Sequence, residues 1–329
     1  MNILVSGIHG FVGSNLVNKL RAQTKIYGLD IVDMYNPGIA ANFGWDILSD
    51  KDTFSLNLPS LDCMIHLAGK AHDTRNESAA QEYFEINTGL TQKIFDFFLA
   101  SSAKKFIFFS SVKAAADVVE GDILTEDVTP APKGPYGESK IKAEEYILEN
   151  MAHSEACRSG NKRVYILRPC MIHGPGNKGN LNLLYNVVKK GIPWPLGAFE
   201  NRRSFASIDN VCYVIENLLS KDIASGIYHI GDDDALSTNE LIELMCETLG
   251  RKVHIWRLNK GFMQGIARLG SYLHLPLNRE CLQKLTENYV VSNEKIKNAL
   301  GIEKMPVSAQ QGFVNTIRSF ESFVDSKEK

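Results

Sequence analysis

NILVSGIHGFVG, residues 2–13, decides the fold. Its first part, Asn2–Gly7, is apolar nearly throughout, as expected of a strand covered on both faces. Gly7, Gly10 and Gly13 then fall as G-x-x-G-x-x-G where that strand should hand over to a helix. Glycine is needed there three times: for a tight turn, for close approach of backbone N–H groups to a pyrophosphate, and for close packing of helix on strand. Phe11 and Val12 open the helix and join the glycines as expected cofactor-binding positions.

Outward from this stretch the rhythm repeats. Lys25–Asp30, Asp62–Gly69, Lys105–Ser111 and Arg163–Pro169 are further apolar runs, and helical periodicity fills Phe11–Gln23, Glu77–Ala100 and Tyr136–His153 between them. Strand and helix in alternation predict an α/β protein with a Rossmann-type, doubly wound parallel sheet. Past Pro169 the pattern turns mixed, with glycine and proline crowding 173–180 and 190–199. This predicts a sheet domain over 1–170 that also receives about 205–230, and a smaller mixed α/β substrate-binding domain from 171–204 and 231–329. Ser237 and Glu240 stand at capping-box spacing before an apolar helix face. Residues 254–289, rich in Leu, Ile, Phe and Tyr, read as part of the smaller domain; a membrane-contacting patch is the sharper alternative, held back by a thin basic face.

Composition narrows the function. The 36 Lys+Arg against 38 Asp+Glu leave a formal net charge of −2, which offers no general attraction to nucleic acid. The six cysteines stand singly, without a C-x-x-C pair or histidines at metal-ligand spacing, so they read as thiols of a reducing compartment, and no metal site is expected. Neither a signal-peptide pattern at the N-terminus nor an apolar stretch of membrane-spanning length is present, and the expectation is a soluble cytoplasmic enzyme.

Asp30 closes the second run at the interval where an acid hydrogen-bonds the adenosine ribose. An acid there repels a 2′-phosphate, which predicts NAD over NADP; capping of a turn is the plainer reading. Tyr136 and Lys140, in YGESK, are four apart and so share one helix face. Pro130, Pro132 and Pro135 keep the preceding segment extended and put Tyr136 in the first turn. A free tyrosine, with a pKa of about 10, is a poor base at neutrality, but a lysine ammonium and a cationic nicotinamide nearby would lower it. Ser110 and Ser111 end the Lys105–Ser111 strand, where ligands bind in such sheets; Ser111 is the favoured hydrogen-bond donor and Ser110 a capping or packing residue.

The glycine triplet, Asp30, HLAG (66–69), FFSS (108–111), YGESK (136–140) and LRP (167–169) together resemble the extended short-chain dehydrogenase/reductase superfamily, in its branch of nucleotide-sugar epimerases, dehydratases and reductases. The resemblance runs nearly the whole chain. It implies Tyr136 as acid/base, Lys140 as the residue that orients the nicotinamide ribose and tunes Tyr136, and Ser111 as their assistant. It also implies cofactor contacts from Asp46 and Ile47 beside the adenine, from Leu67, Ala68 and Gly69 at the fourth strand's end, and from Asn87. Asn180 and Leu181 resemble the pair that approaches the substrate diphosphate, and Arg203 the arginine that clamps it, with Arg202 as rival. A UDP-linked sugar and a homodimer through Glu77–Ala100 and Tyr136–His153 are the implied partners.

Departures select the reaction. Val112-Lys113 follow Ser111 where 4,6-dehydratases carry an Asp-Glu pair, so a dehydratase is disfavoured. The S-S-V-K stretch is similar to forms in 4-keto-sugar reductases and makes Lys113 a substrate-binding candidate, whereas Asp30 and a retained NAD suit a 4-epimerase, which is preferred. His72 and His173 could each touch the sugar or be structural. A dinucleotide-binding sensor or scaffold is the non-enzymatic alternative, opposed by the presence of Ser111, Tyr136 and Lys140 together; a sugar on a lipid diphosphate is a third possibility.

Overall fold

A seven-stranded sheet forms the centre of the molecule: β1 (Asn2–Ser6), β2 (Lys25–Leu29), β3 (Ala41–Phe43), β4 (Cys63–His66), β5 (Lys105–Phe109), β6 (Arg163–Pro169) and β9 (Gly226–Ile230). The strands lie in the order β3-β2-β1-β4-β5-β6-β9, all parallel. The structure, a computed structural model, describes residues 1–32, 34, 36–49, 59–70, 79–177, 180–273, 275 and 277–325.

Both faces of the sheet are covered, which is why its strands are not alternating. Ile3, Leu4 and Val5 of β1 are each no more than 1% exposed. Ile3 and Val5 share a core with the helices Phe11–Leu20 and Ile208–Ser220, while Leu4 faces the helices Leu90–Ala100 and Gly134–His153. Two lysines anchor these layers. Lys162 Nζ donates to the carbonyls of Phe98, Ser101 and Ala103 below Leu90–Ala100. Lys105 Nζ does the same for Leu218, Leu219 and Lys221 at the end of Ile208–Ser220. Each cation satisfies carbonyls that a helix C-terminus leaves unpaired and opposes its dipole.

Three boundaries differ from the expectation. The helix carrying Tyr136 starts at Gly134 rather than at Tyr136, because Pro135 is accepted in the first turn, where its missing N–H is not needed. The first helix stops at Leu20, with Arg21 as its cap. Ala80–Tyr83 and Leu90–Ala100 are joined by a π-helical segment, Phe84–Gly89, which periodicity alone does not distinguish from α-helix. The three-residue β3 carries too little pattern to be read.

The remaining chain builds a second core. Strand β7 (Met171–His173) pairs in parallel with β8 (Phe205–Ser207). Leu181, Tyr185, Trp194, Leu196, Phe205, Met245, Phe313 and Ile317 pack together around them. Ser237 and Glu240 form the expected capping box at the head of Thr238–Thr248. Val291, Ile296, Leu300 and Met305 return to the sheet's own core. The described cysteines are all free, and no helix among the described residues is long and apolar enough to cross a membrane.

Candidate active site

The exits of β1 and β4, between which the strand order reverses, meet at Gly7. Its φ is +68°, and a Cβ there would lie 2.7 Å from the Ala68 nitrogen and 2.8 Å from the Ala68 Cα. No flexible side chain could give way, so glycine is required both by conformation and by space. At Gly13 a Cβ would sit 2.5 Å from the carbonyl oxygens of Gly7 and Ile8, so the helix packs directly on the turn. Gly10 precedes the helix Phe11–Leu20 without a side-chain cap. The first-turn N–H groups, those of Phe11 and Val12 among them, are therefore left for an anion. A crevice whose walls are backbone, closed by Leu67 and Ala68 and headed by free N–H groups, fits a dinucleotide pyrophosphate.

Asp30 stands beside this turn at the end of β2. Its carboxylate accepts from the His9 N–H at 3.0 Å and the Ile31 N–H at 2.8 Å, which fixes it facing the glycine loop. Asp46 and Ile47 lie in a 3₁₀ turn, Trp45–Ser49, just past β3. Ile47 packs on the sheet core and Asp46 is exposed, folded over Gly44.

On the other side of the crevice Asn87, fully buried, organises the exit of β4. Its Oδ1 accepts from the Lys70 N–H at 2.7 Å; its Nδ2 donates to the Lys70 carbonyl at 3.1 Å and to Ser139 Oγ at 2.9 Å. Asn87 belongs to the π-helical segment, a distortion that often marks functional sites. Beneath it runs a buried chain from Ser6 Oγ to His66 Nδ1 at 2.6 Å, His66 Nε2 to Thr91 Oγ1 at 2.9 Å, and Thr91 Oγ1 to the Asn87 carbonyl at 2.6 Å. Burial first, and then Lys140, hold His66 well below its ordinary pKa.

Tyr136 and Lys140 project from one face of Gly134–His153. Lys140, 5% exposed, donates to the Phe109 carbonyl at 2.8 Å, and its Nζ would lie 3.1 Å from a Cβ on Gly69. The lysine thus bridges the ends of β5 and β4. Burial draws its pKa down to about 8, against the opposing pull of Glu144. Tyr136 is half-buried, edge-on to Tyr83 at 6.4 Å, and within hydrogen-bond reach of Ser111. Burial raises the phenol's pKa, while Ser111 draws it the other way. Ser111 also caps the short helix Val112–Ala115, accepting from the Lys113 N–H at 3.2 Å.

Sequence reasoning missed what lies one turn further along this helix. Glu144 and Arg168 form a buried pair, with Arg168 Nη2 2.6 Å from Glu144 Oε2 and Arg168 Nε 3.0 Å from Oε1; Ser110 donates to the same carboxylate. Ser110 is therefore a partner of Glu144. A usable signal was present: an arginine at the end of an otherwise apolar strand must be paired when buried, and Glu144 follows Lys140 by four.

The second core supplies the facing wall. Phe11 touches the turn at Gly174 and Gly176, and Asn15 Nδ2 donates to the Pro175 carbonyl at 3.0 Å, so the loop after β7 packs on the head of the dinucleotide helix. Arg203 donates from Nη1 to the Lys284 carbonyl, and its Nη2 lies 3.8 Å from Glu287 Oε1. Arg202 turns away: it is 60% exposed, donates to the Ala235 carbonyl and stands 3.7 Å from Glu240. Asn180 opens the helix Asn180–Lys189, and Leu181 is buried in the second core. Lys113 binds Asp117 Oδ1 at 3.2 Å and lies 4.5 Å from the Tyr289 ring centre. His173 is buried against Phe313 and bonds Thr316 at 2.9 Å, within the second core. His72 falls outside the described residues.

A doubly wound sheet with a backbone-walled crevice, and a tyrosine and lysine one helical turn apart beside a serine, define a Rossmann-type protein of the short-chain dehydrogenase/reductase fold. The chain belongs to the NAD dependent epimerase/dehydratase family, whose model matches residues 3–231. It is 30% identical to a UDP-glucose 4-epimerase of Vibrio cholerae over 97% of this chain and 95% of that protein. To an N-acetyl-alpha-D-glucosaminyl-diphospho-ditrans,octacis-undecaprenol 4-epimerase of Escherichia coli O157:H7 it is 28% identical, over 90% and 84% of the two chains. The solved structure of MoeE5 in complex with UDP-glucuronic acid and NAD matches the fold with a TM-score of 0.76 at 21% identity, covering 98% of this chain and 100% of that one.

Proposed function

We propose that the protein is an NAD-dependent 4-epimerase of a diphosphate-activated hexose, a UDP-hexose or UDP-N-acetylhexosamine. One observation carries the reading: Tyr136, within hydrogen-bond reach of Ser111 and one turn from Lys140, stands where Gly69 and Gly7 line the mouth of the dinucleotide crevice. NAD, when bound, supplies a hydride acceptor and a cationic ring. Gly7, Gly10, Phe11, Val12 and Gly13 would hold its pyrophosphate, Asp30 its adenosine ribose, and Lys140 its nicotinamide ribose. Asp46 and Ile47 would flank the adenine; Leu67, Ala68, Gly69 and Asn87 would form the wall beyond.

Tyr136 Oη would take the proton of the sugar's C4 hydroxyl, and bound NAD would supply the acceptor for the C4 hydride, leaving a 4-keto sugar. Ser111 holds the carbonyl oxygen that forms. After the keto sugar turns over, the reduced cofactor would supply the hydride to the opposite face of C4, and Tyr136 would give the proton back to the C4 oxygen. Lys140, one helical turn from Tyr136 and with its pKa drawn down to about 8 by burial, would favour the phenolate during the exchange. Arg203, with Asn180 and Leu181 as companions, is the residue proposed to meet the substrate diphosphate, since a planar guanidinium suits paired phosphate oxygens. Val112 and Lys113 supply no carboxylate for elimination, which argues against 4,6-dehydration.

The second core supports a division into a dinucleotide part, 1–170 with about 205–230, and a substrate part, 171–204 and 231–329, crossed by Val291, Ile296, Leu300 and Met305, which pack into the sheet's core, and by Phe205, which packs into the second core. A homodimer through the helices Leu90–Ala100 and Gly134–His153 completes the proposal, with a reducing, cytoplasmic setting supported by the free thiols. The relative acting on an undecaprenyl diphosphate sugar makes a lipid carrier the second reading of the substrate. The decisive measurement is NAD content after purification without added nucleotide, followed by turnover of UDP-glucose and UDP-N-acetylglucosamine. Retained NAD and interconversion of C4 epimers, lowered about a hundredfold or more in Tyr136→Phe, is the expected result. Protein isolated empty that reduces a 4-keto nucleotide sugar with added NADH would instead make it a reductase.

A further inference from the structure

Residues 248–279 contain six cations, Arg251, Lys252, Arg257, Lys260, Arg268 and Arg279, and neither Asp nor Glu, in a chain whose net charge is −2. All six are exposed. The helix Lys260–Tyr272 lies in the middle of this stretch. Met263, Ala267 and Gly270 fasten it to the protein, and at Gly270 a Cβ would sit only 2.0 Å from the Leu277 carbonyl oxygen, so the helix is seated closely and in one orientation.

A second apolar stripe runs along the same helix. Phe262, Ile266, Leu269 and Leu273 recur at i, i+4, i+7 and i+11 and are 60%, 37%, 58% and 53% exposed. At ~100° per residue that stripe sits about a quarter turn from the buried one. Tyr272 and Leu275 extend it, and the exposed Trp256 precedes it. Single exposed apolar residues are ordinary, but a contiguous stripe on one rigid helix marks an interaction surface.

We propose that this face binds the surface of an anionic lipid bilayer. The combination of exposed Phe, Ile and Leu along one side of the helix with Lys and Arg on its other exposed side and in the flanking chain is what an interfacial helix needs: apolar side chains enter the acyl boundary while the cations meet lipid phosphates. Charge decides against a second copy of this chain, because pairing two such faces would set like charges together with no carboxylate between them. The orientation also has a use. The next helix, Arg279–Thr286, ends where the Lys284 carbonyl receives Arg203, so the bilayer-facing helix is one element away from the arginine proposed to meet the substrate diphosphate. Bilayer contact itself is independent of which sugar is turned over.

The test is co-sedimentation of the full-length, NAD-loaded protein with vesicles of phosphatidylethanolamine and phosphatidylglycerol, against pure phosphatidylcholine. Two variants accompany it: Phe262→Ser with Leu269→Ser, and Lys252→Glu with Arg268→Glu. These positions are exposed, and unchanged melting and NAD content verify the fold. The expected result is binding to the anionic vesicles that weakens in high salt and falls about tenfold or more in each variant. Absence of binding to anionic vesicles, or binding unaltered in both variants, overturns the proposal. A wild-type dimer dissolved by Phe262→Ser with Leu269→Ser, seen by light scattering, assigns the face to a second copy instead.

Discussion

The dinucleotide crevice and the proposed substrate wall opposite it are specified by different physics. Around Gly7 and Gly13 the neighbours are backbone atoms, at 2.5–2.8 Å from where a Cβ would stand, so the chain admits one residue type and one conformation. Around Arg203 the neighbours are a carbonyl, Lys284, and a carboxylate, Glu287, which constrain charge but not the path of the chain. The first region is built before any ligand arrives; in the second, a bound diphosphate would compete with partners already present. Hence the cofactor half should tolerate almost no change, and the substrate half should grade its response to the size and reach of the replacement.

The largest effect should come from the buried pair that supports the crevice. Arg168→Met removes the guanidinium between Glu144 and the core and strands a carboxylate that is fully buried. Breaking such a pair from one side costs about 3–5 kcal/mol, readable as a lower midpoint in urea. If instead Arg168→Met melts like wild type, the pair does not support Lys140's helix as described. Next in size is Gly7→Ala, with about 1–3 kcal/mol of strain and loss of NAD retention on purification. Gly121→Ala is its control. Its φ is +83° but a Cβ would meet nothing within 4 Å, so only the left-handed conformation is penalised, by about 1 kcal/mol, with NAD content unchanged.

The same contrast explains what the sequence made legible. Gly7, Asp30, Tyr136 and Lys140 could be placed because each sits at a fixed step from a strand end or on a helix face, and local geometry carries those steps into three dimensions. The strand pattern held because burial on both sides leaves continuous apolar runs. Asn87's π-helical segment was not legible, since one extra residue in a helical turn depends on the contacts with Lys70 and Ser139. For Glu144–Arg168 the sequence signals only that a buried arginine needs a partner; which carboxylate meets it, 24 residues away, is decided by the fold. The second half gave up least: Arg203 and Arg202 are adjacent in sequence, and their opposite directions follow from pairing with Leu236 and Tyr289.

Acid should separate the regions again, at a smaller scale. His229 pairs with Arg168 across β6 and β9 and is fully buried; burial, then Arg168, lower its pKa from 6.5 to about 3. Between those values the unfolded chain takes up a proton that the folded one refuses, so stability is lost as pH falls from 6.5 towards 3. One such histidine contributes about 1.4 kcal/mol per pH unit, and His66 acts in the same direction. In His229→Phe the slope of melting temperature against pH over this range should flatten. An unaltered slope would mean that the acid sensitivity lies elsewhere. Arg168→Met, by removing the second cause, should raise the folded-state pKa of His229, so this loss begins at the same pH but ends at a higher one and is smaller in total.

The finest distinction is between the adjacent arginines. Arg203→Ala removes a guanidinium that lies a quarter exposed in the proposed diphosphate wall, and KM for the sugar substrate should rise about tenfold, the worth of one charged hydrogen bond. Arg202→Ala removes an outward-facing, 60% exposed partner of Glu240 and should leave KM within about twofold. Arg203→Lys sharpens the test, since it keeps the charge and loses the fork. A response halfway between wild type and Arg203→Ala means the geometry of two nitrogens is used. One equal to wild type means the site needs only a positive field. Were Arg202→Ala the more damaging of the two, the wall would have to be rebuilt on the cleft that Arg202 lines with Asp233, Asp234 and Gln310.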